Sequence, residues 1–129
     1  MSYTGKRGPK DLKLDSSTVS KPEILLRSAA ERRLEYALYL PADLIYFMGH
    51  FPGKPILPGV TQIDWAISLA KPLFAIGGVK SLERIKFMRP IRPCSRISLL
   101  LKLTEDTPCL SYRFFDNYGD YSSGKIVFS

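Results

Sequence analysis

The sequence predicts one α+β domain in which an antiparallel β-sheet wraps around one central α-helix. Its 129 residues are one domain's worth, and 45% hydrophobic residues suffice for a core without metal or disulfide support. About six segments alternate apolar and polar residues with the period of a strand, whereas only one segment has the spacing of a long helix. One helix among so many strands favours a sheet that curves around it.

The first two strands are predicted at Glu23–Arg27 and Arg33–Leu40, after a polar N-terminal stretch. In the second segment every other side chain is apolar, which places one face of the strand against a core. The residues expected on that face are Leu34, Tyr36, Leu38 and Leu40.

Four more strands are predicted after the helix. Strict alternation marks Leu82–Met88 and Arg96–Leu103, and in both segments the basic residues form the outward-facing set. The last two strands are expected at Leu110–Phe114 and Ile126–Phe128. They are joined through Asn-Tyr-Gly-Asp at 117–120, where asparagine and glycine suit a turn.

The one long helix is predicted to begin after Pro58 and to end before Pro72, because proline interrupts helical hydrogen bonding. It is about 13 residues long, or about 20 Å. Apolar residues at positions i, i+3 and i+7 indicate the face turned to the core. These residues are Val60, Ile63 and Ile67. Asp64 occupies the remaining i+4 position of the same stripe, so we expect it to face the core.

The chain is expected to consist of a flexible N-terminal arm, residues 1–20, and one folded domain, residues 21–129. Cys94 and Cys109 do not have metal-ligand spacing, so we interpret them as ordinary thiols and predict no metal site. No apolar run approaches the roughly 20 residues that span a bilayer, and the first residues lack the apolar stretch of a signal peptide. We therefore expect a cytoplasmic protein without membrane partners.

A formal charge of +7 indicates negatively charged partners without identifying one. The excess is concentrated between Lys80 and Lys102, which contains seven basic residues and one acid. A solvated face that keeps the protein soluble explains this stretch as well as a binding surface does. Helix-turn-helix patterns, zinc spacing and interleaved aromatic and basic residues are missing from the sequence, which argues against nucleic acid as a partner.

Asp64 and His50, the only histidine, are the candidates for chemistry. An unpaired ionised carboxylate on the core face of a helix costs several kcal/mol of hydration. Asp64 is therefore expected to be compensated by a partner or to be neutral. The alternative is structural: Asp64 caps a loop or pairs with an arginine, and a lone histidine is more often structural than catalytic.

The surroundings of His50 favour catalysis. Prolines at positions 52, 55 and 58 repeatedly fix φ, so the loop that carries His50 is expected to be rigid. This loop leads into the helix, where the free amides of Gly59 and Val60 point out of the positive end and suit a developing oxyanion. A base that titrates near neutrality, a carboxylic acid and amide donors are what proton abstraction beside a carbonyl with loss of a β-hydroxyl requires. These groups indicate a dehydratase.

The run of residues 46–60, Tyr-Phe-Met-Gly-His-Phe-Pro-Gly-Lys-Pro-Ile-Leu-Pro-Gly-Val, followed by Asp64, resembles the signature of the hotdog-fold 3-hydroxyacyl-[acyl-carrier-protein] dehydratases. The motif match covers about 20 residues; elsewhere only the order of strands and helix agrees. The resemblance implies an antiparallel sheet around one helix, no cofactor and a homodimer, with higher oligomers open. The short chain is also similar to the dehydratases of aryl-polyene and other specialised lipid clusters.

The resemblance implies a role for each site residue. His50 would take the α-proton of a 3-hydroxyacyl thioester, and Asp64 of the partner subunit would protonate or hold the leaving hydroxyl. The Gly59 amide would bind the thioester oxygen, with Val60 and Phe51 beside the substrate. The product would be a trans-2-enoyl thioester of fatty-acid or related acyl-chain biosynthesis.

The sequence departs from the family pattern at two positions. The acid is aspartate, as in the branch that resembles the 3-hydroxydecanoyl dehydratases, whereas the broad-specificity branch has glutamate. Ser68 stands four residues past the acid, where both branches usually place glutamine. Two alternatives therefore stay open: a thioesterase on the same fold, and a non-catalytic partner subunit of an active dehydratase.

The resemblance also assigns a partner to the positive charge. Acyl-carrier proteins are acidic, so a basic surface would steer one towards the mouth of the substrate tunnel. The residues expected to bind the carrier protein are Arg84, Lys86, Arg89, Arg92 and Arg96.

Overall fold

A computed structural model describes residues 19–48, 54–71, 77–104 and 108–129 of the chain. Its elements, in chain order, are strands β1 (Glu23–Ala30) and β2 (Arg33–Leu40), a 3₁₀ turn (Ile45–Phe47), helix α1 (Gly59–Ala70), and strands β3 (Val79–Phe87), β4 (Ser95–Thr104), β5 (Cys109–Asp116) and β6 (Gly119–Phe128). The strands that the alternation predicted are all present. The sequence analysis underestimated the lengths of β1 and, above all, β6, which begins directly after the turn.

The six strands form one antiparallel sheet in the order β1-β2-β4-β5-β6-β3. β5 and β6 are joined by the two residues Asn117 and Tyr118, as predicted. The residue after them, Gly119, has φ +137°, a conformation that side-chain-bearing residues rarely adopt, so glycine is required here. With its single α-helix in the described residues, this sheet is the hotdog fold that the family resemblance implied.

The inner face of the four central strands forms the core. The predicted inward set of β2 is completely or almost completely buried, and so are Ile97, Leu99 and Leu101 of β4. Leu110 and Phe114 of β5 and Ile126 of β6 complete this layer, and each of the three is inaccessible to solvent. The period-2 pattern thus identified the core face correctly.

Helix α1 lies where the two prolines predicted it, but it presents a different face to the core. Its buried side chains are Thr61, Gln62, Trp65, Ala66 and Ala70. Val60 is 75% exposed and Asp64 is also exposed in the single chain, so the prediction that they face the core is wrong. Ile63 and Ile67 are half-buried at the margin of the core. The apolar stripe predicted the wrong face because a polar residue, Gln62, lies in the middle of the face that is buried.

The two edge strands are exposed along almost their entire length. All eight residues of β1 are accessible, and in β3 only Ser81 and Ile85 are partly covered. Leu82 pairs in register with buried Ile126 and therefore points to the helix side of the sheet, yet it is 46% exposed. Strand β3 thus has an uncovered apolar side at the edge of the fold.

The predicted N-terminal arm lies mostly outside the described residues, which begin at Val19. Val19 forms a parallel bridge with Leu44, and the Trp65 indole nitrogen donates a 3.3 Å hydrogen bond to the Ser20 carbonyl. Both cysteines are free thiols. None of the helices described is both long and apolar enough to cross a bilayer.

Candidate active site

His50 and Phe51, two of the predicted site residues, lie outside the described residues. The structure does describe the start of α1 and Asp64, so the part of the candidate site that depends on the helix can be built from its contacts.

The start of α1 presents free backbone donors. Pro58 precedes the helix in an extended conformation, and its carbonyl accepts the amides of Thr61 and Gln62 at 3.1 and 3.2 Å. The amides of Gly59 and Val60 come before these first helical bonds, and no acceptor for them lies in the described residues. They point out of the positive end of the helix dipole, which suits an oxyanion.

A buried polar network fixes this end of the helix to the sheet. The Gln62 side-chain nitrogen donates to the Leu57 carbonyl at 3.2 Å, and the Ser122 hydroxyl of β6 donates to the Gln62 side-chain oxygen at 2.5 Å. Ser122 is fully buried and Gln62 almost so. Sequence analysis missed this network; its only sequence signal is a glutamine at helical spacing from Trp65 and Ala66.

Gly59 lies directly against the ring of Phe87 from β3. A Cβ atom at position 59 would come within 2.5 Å of the Phe87 ring, so a larger residue would displace the ring or the helix end. The two residues belong to a cleft of about 320 Å³. Its lining consists of Ile56, Leu57, Gly59, Gln62, Phe87, Met88, Arg89 and Pro90.

Asp64 belongs to a second, more enclosed cavity of about 180 Å³ on another side of the helix. This cavity is mostly apolar, and Tyr46 packs edge-on against Trp65 in its wall with ring centroids 6.2 Å apart. Ser68, where the family pattern usually has glutamine, lines the same cavity. Ser68 is therefore placed to influence the surroundings of the Asp64 carboxylate.

One chain does not bring Gly59 and Asp64 into one cavity. The two residues are five positions apart, which corresponds to about 140° around the helix axis and about 7.5 Å along it. Gly59 lines the cleft that contains Phe87, hereafter the Phe87 cleft. Asp64 lines the cavity that contains Trp65. The Cα of Gly59 and the Asp64 side chain therefore lie on different sides of the helix within the single chain.

The five basic residues predicted to bind a carrier protein do not form one surface. Arg84 and Lys86 lie on the edge strand β3, whereas Arg96 lies on β4, three strand spacings or about 14 Å away across the sheet. Arg89 lines the Phe87 cleft. Arg92 follows Ile91, whose carbonyl accepts the Leu57 amide at 2.8 Å, so it lies beside the segment that enters the helix.

Arg89 is engaged within the chain. Its guanidinium donates to the Asp116 carboxylate at 2.6 Å and to the Gly119 carbonyl at 2.7 Å, and it lies 4.0 Å from the centre of the Tyr121 ring. Hydrogen bonds from Tyr121 and from Arg89 lower the pKa of Asp116 to about 2. Burial and the bond to Asp116 raise the pKa of Tyr121. Sequence analysis missed this network because its members are up to 32 residues apart.

The described residues contain no group of three histidine, cysteine, aspartate or glutamate side chains that could hold a metal ion. What they offer for chemistry is a carboxylate, a pair of backbone donors and two apolar cavities.

A family model described as ApeI-like, ApeI dehydratase, matches residues 26–125, more than three quarters of the chain. The chain belongs to the ApeI-like family. A dehydratase heterocomplex structure, ApeI:P from Xenorhabdus doucetiae, is 37% identical, with a TM-score of 0.76 over 83% of this chain and 96% of that one.

Two further relatives agree with membership of the ApeI-like family. An uncharacterized protein from Erwinia carotovora subsp. atroseptica is 34% identical, with a TM-score of 0.69 over 84% of this chain and 96% of its own. The 3-hydroxyacyl-[acyl-carrier-protein] dehydratase FabZ of a Wolbachia strain from Drosophila simulans is 30% identical over 64% of this chain. The matched part is 62% of that relative's length. The chain is thus a dehydratase-type hotdog protein.

Proposed function

We propose that this chain is a 3-hydroxyacyl-[acyl-carrier-protein] dehydratase that forms a composite active site with a second subunit. The observation that carries this proposal is the separation of Gly59 and Asp64 into two cavities on different sides of α1. We infer that a reaction that uses both residues at one substrate takes them from two chains. Membership of the ApeI-like family and the FabZ relative support the reaction type.

In the proposed mechanism His50 takes the α-proton of the 3-hydroxyacyl thioester, and the electron pair of that C–H bond forms the new C=C bond. The Gly59 amide stabilises the negative charge that develops on the thioester oxygen. Asp64 of the partner subunit gives a proton to the 3-hydroxyl as its C–O bond breaks, which releases water. Phe51 and the Val60 amide are assigned to the substrate-binding part of the site, and the step needs no cofactor.

The exposed edge β3 supports pairing with a second subunit. Leu82, Phe87 and Met88 are each about half exposed, and Val60 is 75% exposed at the nearby start of the helix. Apolar residues clustered at a free strand edge are typical of an interface. We assign this edge to the subunit interface and expect a homodimer with two sites.

The carrier protein is proposed to dock at the mouth of the Phe87 cleft. Arg89 lines this cleft and Arg92 lies beside it, so an acidic carrier bound there would hold its acyl arm close to the Gly59 amide. Arg92→Glu reverses one charge at this surface and leaves the Arg89–Asp116 pair intact. Its effect on kcat/KM at low salt tests whether the carrier protein docks here.

The dehydratase reaction is tested on the purified single chain by the absorbance change when an enoyl thioester is hydrated. His50→Ala and Asp64→Asn should each lower the rate about 10²–10⁴-fold. An equimolar mixture of the two variants, refolded together, should recover about a quarter of the wild-type activity, because half of the dimers then contain one intact composite site. Recovery of no activity would show that each site uses one chain only.

A non-catalytic partner subunit is the second candidate. Ser68 beside Asp64 and the heterocomplex formed by the Xenorhabdus relative favour it. The lone chain would then show no hydration, whereas a mixture with an active dehydratase subunit would exceed the activity of that subunit alone. Release of free thiol from acyl thioesters would instead identify a thioesterase.

A further inference from the structure

The outer face of the sheet, on the side away from α1, contains a basic groove. It has a volume of about 310 Å³ and crosses four strands, β4, β5, β6 and β3. The cationic residues that line this outer groove are Arg84, Lys86, Lys102, Arg113 and Lys125. Two of the five, Arg113 and Lys125, lie outside the basic stretch Lys80–Lys102 that the sequence shows.

The strand register alternates cations with serines across the outer groove. Ser111 of β5 lies between Lys102 of β4 and Lys125 of β6. Two residues along the strands, on the same face of the sheet, Ser123 of β6 lies between Arg113 of β5 and Lys86 of β3. Each short hydroxyl side chain therefore leaves space between two long cationic ones.

This alternation defines two places for an oxyanion. A negatively charged oxygen group above either serine can accept its hydroxyl and contact a cation on each side. From the strand spacing and the rise per residue, the two serines are about 8 Å apart. The groove thus matches two anionic groups that lie side by side.

The charges of the outer groove are largely uncompensated. Arg113 pairs with Asp120 at 3.1 Å, but the other four cations have no ion pair with any described residue. Glu83 is opposite Lys125 in register, and its carboxylate accepts a 3.4 Å hydrogen bond from Ser81. Because outward positions accept any polar residue, the fold does not explain this cluster.

The backbone of β3 is also irregular where it meets the outer groove. The register shifts between Glu83 and Lys86, and Arg84 within this bulge has φ +55°. A non-glycine residue in this region costs about 1 kcal/mol or more. The bulge carries Arg84 into the groove beside Lys86, so local strain accompanies the concentration of charge.

We propose that the outer groove binds the headgroups of an anionic phospholipid surface. The cations form a compact cluster bounded by carboxylates, with Glu35 opposite Leu100 at one side and Glu83 opposite Lys125 at the other. A nucleic acid needs a longer track and aromatic platforms, and the nearby ring of Phe115 is already covered by Arg113 at 4.1 Å. Several lysines and arginines clustered on one face attract the anionic headgroups of a bilayer.

The proposal is independent of the dehydratase site, since the outer groove and α1 lie on opposite faces of the sheet. It is tested by co-sedimentation of the full chain with vesicles of phosphatidylcholine, with or without phosphatidylglycerol. We expect binding only to the vesicles that contain phosphatidylglycerol. Binding should weaken with salt, because the Debye length falls from about 10 Å at 0.1 M to about 3 Å at 1 M.

Variants locate the binding to the outer groove. Lys102→Glu with Lys125→Glu should lower the partition to these vesicles at least about tenfold, and the neutral pair Lys102→Gln with Lys125→Gln should give a smaller loss. Arg27→Glu with Lys54→Glu is the matched control, because both residues are exposed outside the groove and the net charge changes equally. Circular dichroism establishes that each variant is folded.

Three results would overturn the proposal. The first is equal binding to vesicles with and without phosphatidylglycerol, or binding to neither. The second is an equal loss in the control pair, which would attribute binding to net charge alone. The third is tight binding of a DNA duplex or of an RNA oligonucleotide by a chain that does not bind the vesicles.

Discussion

The two faces of helix α1 differ in what they do. One face, centred on Gln62, Trp65 and Ala66, is buried against the sheet and holds the fold together. The other face carries Val60 and Asp64, which are exposed in the single chain. The contrast teaches that the residues with candidate chemistry are not those that stabilise the domain. Substitutions on the two faces should therefore change different properties.

The largest expected effect on stability is on the buried face. Trp65 is 3% exposed, its indole nitrogen donates to the Ser20 carbonyl, and its ring packs edge-on against Tyr46. Trp65→Ala should lower the free energy of unfolding by about 3–5 kcal/mol, because it leaves a large cavity under the helix. Urea denaturation followed by circular dichroism measures this loss.

The neighbouring residue on the other face is the control. Asp64→Asn should change the free energy of unfolding by no more than about 0.5 kcal/mol, although it removes the proposed proton donor. A loss of stability as large as that of Trp65→Ala would mean that Asp64 is a structural residue after all, and the division between the two faces would be wrong.

A smaller effect is expected from the polar centre of the buried face. Ser122→Ala removes the hydroxyl that donates to the Gln62 side chain, and it leaves that amide oxygen buried without this donor. We expect a loss of about 1–3 kcal/mol in the free energy of unfolding. Thermal and urea unfolding measure it.

The pair Gln62 and Ser122 also permits a double-mutant cycle. Gln62→Leu with Ser122→Ala should cost less than the sum of the two single changes, because neither buried partner then remains unpaired. Additive losses would show that the 2.5 Å contact does not couple the helix to β6.

Much of this contrast was beyond sequence-based prediction for physical reasons. The strands were predictable because Leu34 and its neighbours alternate with period 2, and the helix ends because Pro58 and Pro72 interrupt hydrogen bonding. The buried face was not, because Gln62 is acceptable in the core only through Ser122, sixty residues away. A residue such as Gln62 looks solvent-facing until its distant partner is known.

The candidate site also has one part that the sequence could predict and one part that depends on the tertiary structure. The free amides at the helix start follow from local rules, and the structure retains them at Gly59 and Val60. The exposure of Asp64 depends on which side of α1 the sheet covers, which is a tertiary property. The basic stretch was also misleading as one surface, because β3 and β4 are consecutive in the chain but separated by β5 and β6 in the sheet.

The smallest expected effect compares Asp64 with Asp116, a carboxylate that the structure does hold in place. Because hydrogen bonds from Tyr121 and Arg89 lower the pKa of Asp116 to about 2, its ionised form stabilises the fold at every pH above about 4. That contribution should be lost as the pH falls from about 4 to about 2, where the carboxyl protonates in the folded chain. Asp116→Asn should therefore be less stable than the wild type at neutral pH and lose less stability over this acid interval.

Urea midpoints at pH 7, 4 and 2 measure the difference, and Asp43→Asn controls for the loss of one exposed carboxylate. If the wild type and Asp116→Asn lost stability in parallel between pH 4 and pH 2, the Arg89–Asp116–Tyr121 network would not be what holds the β5–β6 turn to the loop after β3.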